Sequence, residues 1–458
     1  MTATDVNPAD EGKKWYEILV VLTVSLAGFN SALMYCWPSP FLVKIVHDES
    51  YHITEEEASY FTVISQVGII LLPPFIAPLA NRFGRKKLIL YVAIPCSIVW
   101  IIKATSKNLW MLYLARTLSG FCDAVTFSCA MVFIGEVASP KVRGIWGNSM
   151  MLSGFLGQFI INVLGVYYSV QTTAFICLAA PIIFFVAFSL VPETPYYYIA
   201  KGDDDRAVAS LRSLRRRDDV EEEYKELQVA VHNQLTGTGS WKELVTVRVN
   251  RRALVAGVYV RLSQLFSGLF TFASYTMLIF DKTGTNIDPE LATIVYTGVN
   301  LVVYTSVVYF SNLLGRRKSL ILSMILTGVV LLAEAGYFLI DKLFPGVNLE
   351  RFHWFPLAGM VGFIICSAFG VGIIPSLMLG ELFPVSSKSK SLAIVTSVFG
   401  LMSLVVNNLF YYLNVYAGLS GPFLLFSLAN FISAVVTYRI IPETKDKSLE
   451  QVQQQLRM

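Results

Sequence analysis

Long apolar runs separated by short polar turns make up most of this chain. A helix that crosses a bilayer needs about 20 mostly apolar residues, and the sequence predicts twelve such stretches: 17–37, 58–80, 87–105, 109–134, 145–168, 171–191, 253–280, 290–312, 318–340, 354–380, 390–416 and 418–441. The one long polar interval, 192–252, falls between the sixth and the seventh. From Asp203 to Leu235 it places Leu and Val at helical intervals among clustered charges, Arg215 to Asp219 and Glu221 to Glu223, which predicts short amphipathic helices. The pattern predicts an all-α membrane protein: an N-terminal tail (1–16), a six-helix bundle (17–191), a linker (192–252), a second six-helix bundle (253–441) and a C-terminal tail (442–458).

Composition agrees with that pattern and charge orients it. With 55% hydrophobic and 15% charged residues and a mean hydropathy of +0.58, the chain is too apolar for an ordinary soluble domain. Most of the Lys and Arg fall in the two tails, the linker and the loops on their side. The opposite loops are assigned only Lys44, Lys103, Lys107, Lys282, Lys342 and Arg351. Both tails and the linker are therefore expected in the cytoplasm. The net charge of +4 follows from this asymmetry and is no argument for a nucleic-acid partner. The polar tail shows no small-residue cleavage site, so the first stretch is expected to remain a span. Cys36, Cys96, Cys122, Cys129, Cys177 and Cys366 lie in or at the ends of spans without zinc-like spacing and read as small buried hydrophobes. No metal motif, cofactor motif or nucleophile–base constellation is present, so an enzyme is not expected.

The two halves repeat each other. Asn81 to Lys87 (N-R-F-G-R-K-K) recurs as Asn312 to Lys318 (N-L-L-G-R-R-K). Gly135-Glu136 with Arg143 is echoed by Gly380-Glu381 with Lys388, and Val191 to Thr194 (V-P-E-T) by Ile441 to Thr444 (I-P-E-T). Duplicated halves in an apolar chain point to a transporter with a central site between them. Gly84 and Gly315 would permit a tight turn and close helix approach.

Together with Arg116 to Gly120 (R-T-L-S-G), Gly135 to Gly144 (G-E-V-A-S-P-K-V-R-G), Pro192 to Pro195 (P-E-T-P), Gln264 to Gly268 (Q-L-F-S-G), Gly380 to Pro384 (G-E-L-F-P) and Pro442 to Lys445 (P-E-T-K), these segments resemble the sugar porter family of the major facilitator superfamily. Trp37 to Pro40 (W-P-S-P) and the run from Ile53 further resemble the insect facilitated trehalose and hexose transporters. The resemblance implies a cytoplasmic gate in which Arg85, Lys86, Glu136, Arg143, Glu193, Arg316, Arg317, Glu381, Lys388 and Glu443 form salt-bridge networks across the two bundles when the cytoplasmic side is shut. Some of these basic residues would also serve simply to hold loops at lipid headgroups.

Gln264, Ser267, Gly268, Thr271 and Tyr275 recur at the spacing of one helix face, a neutral polar stripe suited to hydroxyl ligands. The resemblance implies substrate contacts at Gln264 and at Asn300; Ser267, Thr271 and Asn30 complete the candidate set. Buried amides can equally bond helix to helix. The pocket departs from the family at Leu265, Phe270, Met151, Ser376, Phe399 and Gly400, where polar or aromatic sugar contacts are expected. Ionisable groups within spans are functional candidates. Arg116 and Asp123 are about 10 Å apart along one helix, so each needs a partner elsewhere. Arg261 either points into the cavity, which would suit an anionic solute, or snorkels to the cytoplasmic boundary; Glu334 reads as helix-paired or near the outer surface. Tyr304, Tyr411, Asn407 and Asn408 are candidates for the outer vestibule. Asn30 stands where the resemblance places an aspartate in proton-coupled members, which favours a uniporter, with Asp123 as the alternative proton site.

The reading is a multi-pass plasma-membrane carrier moving a small polar solute, most simply a sugar such as trehalose or a hexose, by alternating access. A carrier of another solute and a non-transporting nutrient receptor are the alternatives. Lipid and solute are the expected partners.

Overall fold

Proline and glycine decide where the apolar runs bend. The computed structural model describes residues 14–236, 241–283, 287–310, 315–344, 350–383 and 387–443, with 451 and 455. Among them eleven helices are long and apolar enough to cross a membrane, and a bent pair supplies a twelfth. Span 1, Trp15–His47, is interrupted at Cys36 and Trp37, where Pro38 opens its second piece. Span 2 is the pair Glu55–Leu71 and Pro73–Phe83, bent by 55°. It starts on a capping box in which Glu57 accepts the Thr54 N–H at 2.9 Å and the Thr54 hydroxyl accepts the Glu57 N–H at 3.3 Å. Spans 3 to 6 are Arg85–Thr105, Leu109–Val137, Ser149–Tyr167 and Val170–Ser189.

In the second half, span 7, Arg248–Asp281, is interrupted at Gly268, whose φ of 93° lies in the left-handed region. Span 8 is Pro289–Phe310 and span 9 is Arg316–Leu343. Span 10, Phe355–Leu382, passes through a π-helical segment, Ala368–Gly372, followed by Pro375. Spans 11 and 12 are Lys388–Ala417 and Ser420–Ile440. Spans 1 to 6 form one bundle and spans 7 to 12 the other; span 11 runs along span 2, span 8 along span 5 and span 7 against span 1. This is a multi-span membrane protein.

The amphipathic helices foreseen in the linker are Pro195–Lys201, Asp204–Arg215, Glu221–Thr236 and Glu243–Thr246. They do not hang as a solvated hinge. Ala207, Leu211, Val220 and Tyr224 build a small core of their own. Arg215 fastens it to bundle one: the guanidinium pairs with Glu17 at 3.1 Å and Glu223 at 2.7 Å and donates to the Val137 carbonyl at 2.9 Å. Lys103, assigned above to a loop, is instead fully buried in span 3, its ammonium 4.2 Å from the Trp37 ring centre and 4.6 Å from that of Trp100.

Candidate functional site

At the end of each bundle that carries the repeated motifs, the same parts assemble in the same way. Glu193, just past span 6, accepts the backbone N–H of Lys86 at 3.0 Å and 3.1 Å. Glu443, just past span 12, accepts those of Arg316 at 2.8 Å and Arg317 at 3.2 Å. Each acid thus caps the first turn of span 3 or span 9, where helix N–H groups have no internal partner. The glycines make room for it. A Cβ on Gly84 would collide with the Glu193 carboxylate, and one on Gly315 would stand 2.6 Å from that of Glu443. The turn itself needs glycine only at Gly84, with φ 99°; Gly315 has an ordinary φ of −63°.

The remaining charges follow the repeat. Arg85 pairs with Glu136 at 3.3 Å and Arg316 with Glu381 at 3.6 Å. Arg143 donates to the Gly135 carbonyl at 3.2 Å and Lys388 to that of Gly380 at 3.0 Å, completing the last turns of spans 4 and 10. Lys86 reaches the Ser189 carbonyl at 2.8 Å, and Arg317 the Tyr438 carbonyl. All of these contacts join helices of one bundle. Within each bundle these contacts lock the helices together, Glu193 and Glu443 directing their oxygens to backbone N–H groups; networks across the bundles are expected of the state in which the motif end is shut. Asn312 to Leu314, Pro384, Thr444 and Lys445 of the motifs lie outside the described residues.

Halfway along, polar side chains meet where the bundles touch. Asn300 of span 8 donates to the Gln158 side-chain oxygen of span 5 at 3.0 Å. One turn away on each helix, Tyr304 stacks on Phe155 with ring centres 4.1 Å apart. Gln264 donates to the Gly372 carbonyl of the π segment at 2.8 Å and accepts from Arg261 at 2.5 Å. The Arg261 guanidinium lies 4.4 Å from the ring centre of Phe399 and 5.6 Å from that of Phe270, and the two rings meet edge to face at 5.1 Å. The Tyr304 hydroxyl packs against Gly372, where a Cβ would strike it. Gln264, Arg261, Asn300 and Gln158 therefore share one neighbourhood.

The other candidates are drawn elsewhere. Ser267 bonds the Gln264 carbonyl at 2.7 Å, and Thr271 donates to Asn407 at 2.9 Å inside bundle two. The predicted stripe divides because the left-handed turn at Gly268 breaks the helical spacing between its two halves. Asn30 donates to the carbonyls of Leu26 at 2.9 Å and Ala180 at 3.4 Å, within bundle one. Arg261 does not snorkel; its partners hold it at the interface. Gln158 is not among the sequence candidates; its signal is an amide four residues from Asn162 in an apolar run, whereas Asn300 comes from the resemblance.

The profile of the family described as "Sugar (and other) transporter" matches residues 16–456. The chain belongs to this family. The transporter is 30% identical over 445 residues to the facilitated trehalose transporter Tret1 of Polypedilum vanderplanki, covering 96% of this chain and 88% of that protein. It is 29% identical over 447 residues to the Tret1 protein of Culex quinquefasciatus, covering 96% and 86%. Its fold is that of the major facilitator superfamily: it superposes on the proton:xylose symporter XylE bound to 6-bromo-6-deoxy-D-glucose with a TM-score of 0.75 at 18% identity, over 97% of this chain and 99% of that one.

The transporter's Arg116 and Asp123 find partners on neighbouring helices. Arg116 donates to the carbonyls of Phe61 at 2.6 Å and Met34 at 2.5 Å and to the Ser65 hydroxyl at 3.1 Å, while Asp123 accepts from Ser31. Glu334, expected to be helix-paired or near the outer surface, is instead buried between spans 9 and 10 against Gly359, with neither carboxyl oxygen hydrogen-bonded among the described residues. At the end opposite the motifs, Lys282 pairs with Glu55 across the bundles at 2.5 Å, and Thr62 and Tyr275 share a hydrogen bond of 2.7 Å behind it. A cleft of about 560 Å³ opens at this end, with Lys44, His47, Asp281 and Glu290 in its walls. Tyr304 and Asn407, expected in a vestibule, lie deeper: Tyr304 at the central interface and Asn407 against Thr271.

Proposed function

We propose that this protein carries a sugar, trehalose or a hexose, down its gradient across the plasma membrane by alternating access, with its tails, linker and motif end in the cytoplasm. Family membership supports transport, and both relatives are named for facilitated trehalose transport. The observation that carries the reading is the neutral polar seam between the bundles. Buried amides are costly unless hydrogen-bonded, yet Asn300 Oδ1 and Gln158 Nε2 have no partner at the interface. A polyhydroxylated ligand presents donors and acceptors to both. Gln264 and Asn300 are its contacts from bundle two, and Gln158 its contact from bundle one.

The motif-end clusters keep each bundle rigid while the pair rocks. The exposed tie between the bundles, Glu55 with Lys282, is worth about 0–1 kcal/mol, small enough for a bound solute to redirect a two-state equilibrium. The neutral Asn30 in span 1 supports uniport. Uptake of labelled trehalose and glucose into proteoliposomes tests the reading. We expect saturable uptake indifferent to an uncoupler and lowered about tenfold by Gln264→Ala or Asn300→Ala, the worth of one or two lost hydrogen bonds. No uptake of either sugar would sink it.

A further inference from the structure

Arg261 is the one feature of the central site that a neutral sugar does not explain. A guanidinium within a membrane protein's span is expensive unless paired. Among the described residues no carboxylate reaches it: its side-chain hydrogen bond goes to the neutral Gln264, its ring contacts to Phe270 and Phe399. The titratable group that faces it from the other bundle is Tyr35. A ring under a cation returns about 0.5–2 kcal/mol, less than the several kcal/mol that desolvating an unpaired ion costs. The side chain is half-buried, so part of the planar fork remains accessible rather than sealed in apolar packing. That fork presents parallel N–H donors matched to a carboxylate.

Position gives the charge a use. Arg261 sits just before the last turn of the half of span 7 that ends before Gly268, three residues ahead of Gln264. Gln264 is joined through Gly372 and Tyr304 to the Asn300–Gln158 seam, with its two unpartnered amide atoms. A cation at one side and open amides at the other describe a ligand with one anionic end and a hydroxylated body.

We propose that the central site takes a sugar acid, a monocarboxylate of the uronate or aldonate class, with its carboxylate on Arg261 and its hydroxyls on Gln264, Asn300 and Gln158. This rests on the transport reading and adds a charged class of solute to it. Phe270 and Phe399 contact the guanidinium but supply no anion, which leaves its charge to the ligand.

The test uses the full chain in proteoliposomes. Glucuronate and its neutral amide, glucuronamide, have the same shape and differ in charge, so their competition against labelled glucuronate uptake needs no mutant. The expected result is glucuronate competing at least about tenfold better than glucuronamide, as a charge-assisted pair requires. Arg261→Gln should abolish that preference and Arg261→Lys should keep part of it, with both variants monodisperse in detergent. Equal competition by the two compounds, or glucuronate uptake unchanged in Arg261→Gln, overturns the proposal. Uptake of glucose or trehalose with exclusion of glucuronate overturns it too and leaves neutral sugar transport standing; uptake of none of them removes both readings.

Discussion

A glycine can be required by its backbone angle or by the space beside it, and the two motif copies separate these reasons. Gly84 has φ 99° and no room for a Cβ against Glu193; Gly315 has φ −63° and lacks only the room. Gly84→Ala should therefore lower unfolding stability by about 2–3 kcal/mol, from strain plus a displaced cap. Gly315→Ala should cost about 1 kcal/mol, the cap alone. Gly380→Ala, where nothing lies within 4 Å of the added carbon, should be neutral or gain up to about 1 kcal/mol as a helical Gly→Ala change. Thermal melts in detergent give the order, and equal effects at Gly84 and Gly315 would refute it. Glu193 adds a pH signature. Burial raises its pKa from 4.5, outweighing the backbone N–H groups of Lys86 and Thr194 and the charge of Arg85. A carboxyl with a raised native pKa contributes stability that is present below the unfolded value and lost as pH rises through the native one. The wild type should then gain on Glu193→Gln as pH falls from neutral toward 4.5, measured by paired melts; a gap that closes with acid would contradict it. The repeated charges were plain in the sequence. Their partners were not, because a string of residues does not show whether an acid will meet a side chain or a backbone N–H.

Among elements, the spans were legible and their interruptions only partly so. Twenty apolar residues in a row admit little but a helix in lipid, and Pro38 and Pro73 mark where spans 1 and 2 turn. No residue type announces the π segment Ala368–Gly372, and Gly268 does not reveal its positive φ until packing fixes it. That single angle is why the stripe from Gln264 to Tyr275 fails as one face. Gly268→Ala would place a carbon 3.0 Å from both Phe272 and Phe426 and force an unfavourable φ. Re-aiming the half-span that carries Gln264 should reduce sugar uptake about tenfold or more, since small misplacements of binding groups are costly, while surface expression holds; wild-type uptake would show the break is dispensable. The linker's amphipathic helices are legible but their docking is not, since of three consecutive arginines Arg215 reaches Glu17 and the Val137 carbonyl on bundle one, while Arg217 shares only Glu223 with it. Arg215→Ala removes the cation beside Glu17 and the tie to the Val137 carbonyl, while Glu223 keeps Arg217, and we expect faster hydrogen exchange across 203–236 with unchanged exchange in spans 7 to 12. Uniform protection would mean the small core of Ala207, Leu211, Val220 and Tyr224 holds the linker alone.

For the whole molecule, the question is which contacts hold the two bundles shut at the end opposite the motifs, and the structure offers two of different character. The Glu55–Lys282 pair is solvent-accessible, with side chains 40% and 32% exposed, so its worth is at most about 1 kcal/mol and falls with salt. The Thr62–Tyr275 hydrogen bond behind it is buried, and removing the threonine hydroxyl leaves a phenol unpaired at a cost of about 1–3 kcal/mol in the closed state. Opening restores water to that phenol, so the penalty falls on the closed state alone and shifts the population outward. Thr62→Val should therefore open this end more than Lys282→Gln does, by roughly tenfold in the closed-to-open ratio against about fivefold or less. High salt should erase the difference between wild type and Lys282→Gln while leaving the Thr62→Val shift in place. Spin labels at Thr105→Cys and Phe344→Cys, exposed positions at this end of spans 3 and 9, report the distance between bundles by electron double resonance. A larger or salt-resistant shift in Lys282→Gln would place the gate in the ion pair, and a silent Thr62→Val would show that the phenol finds another partner when the bundles close.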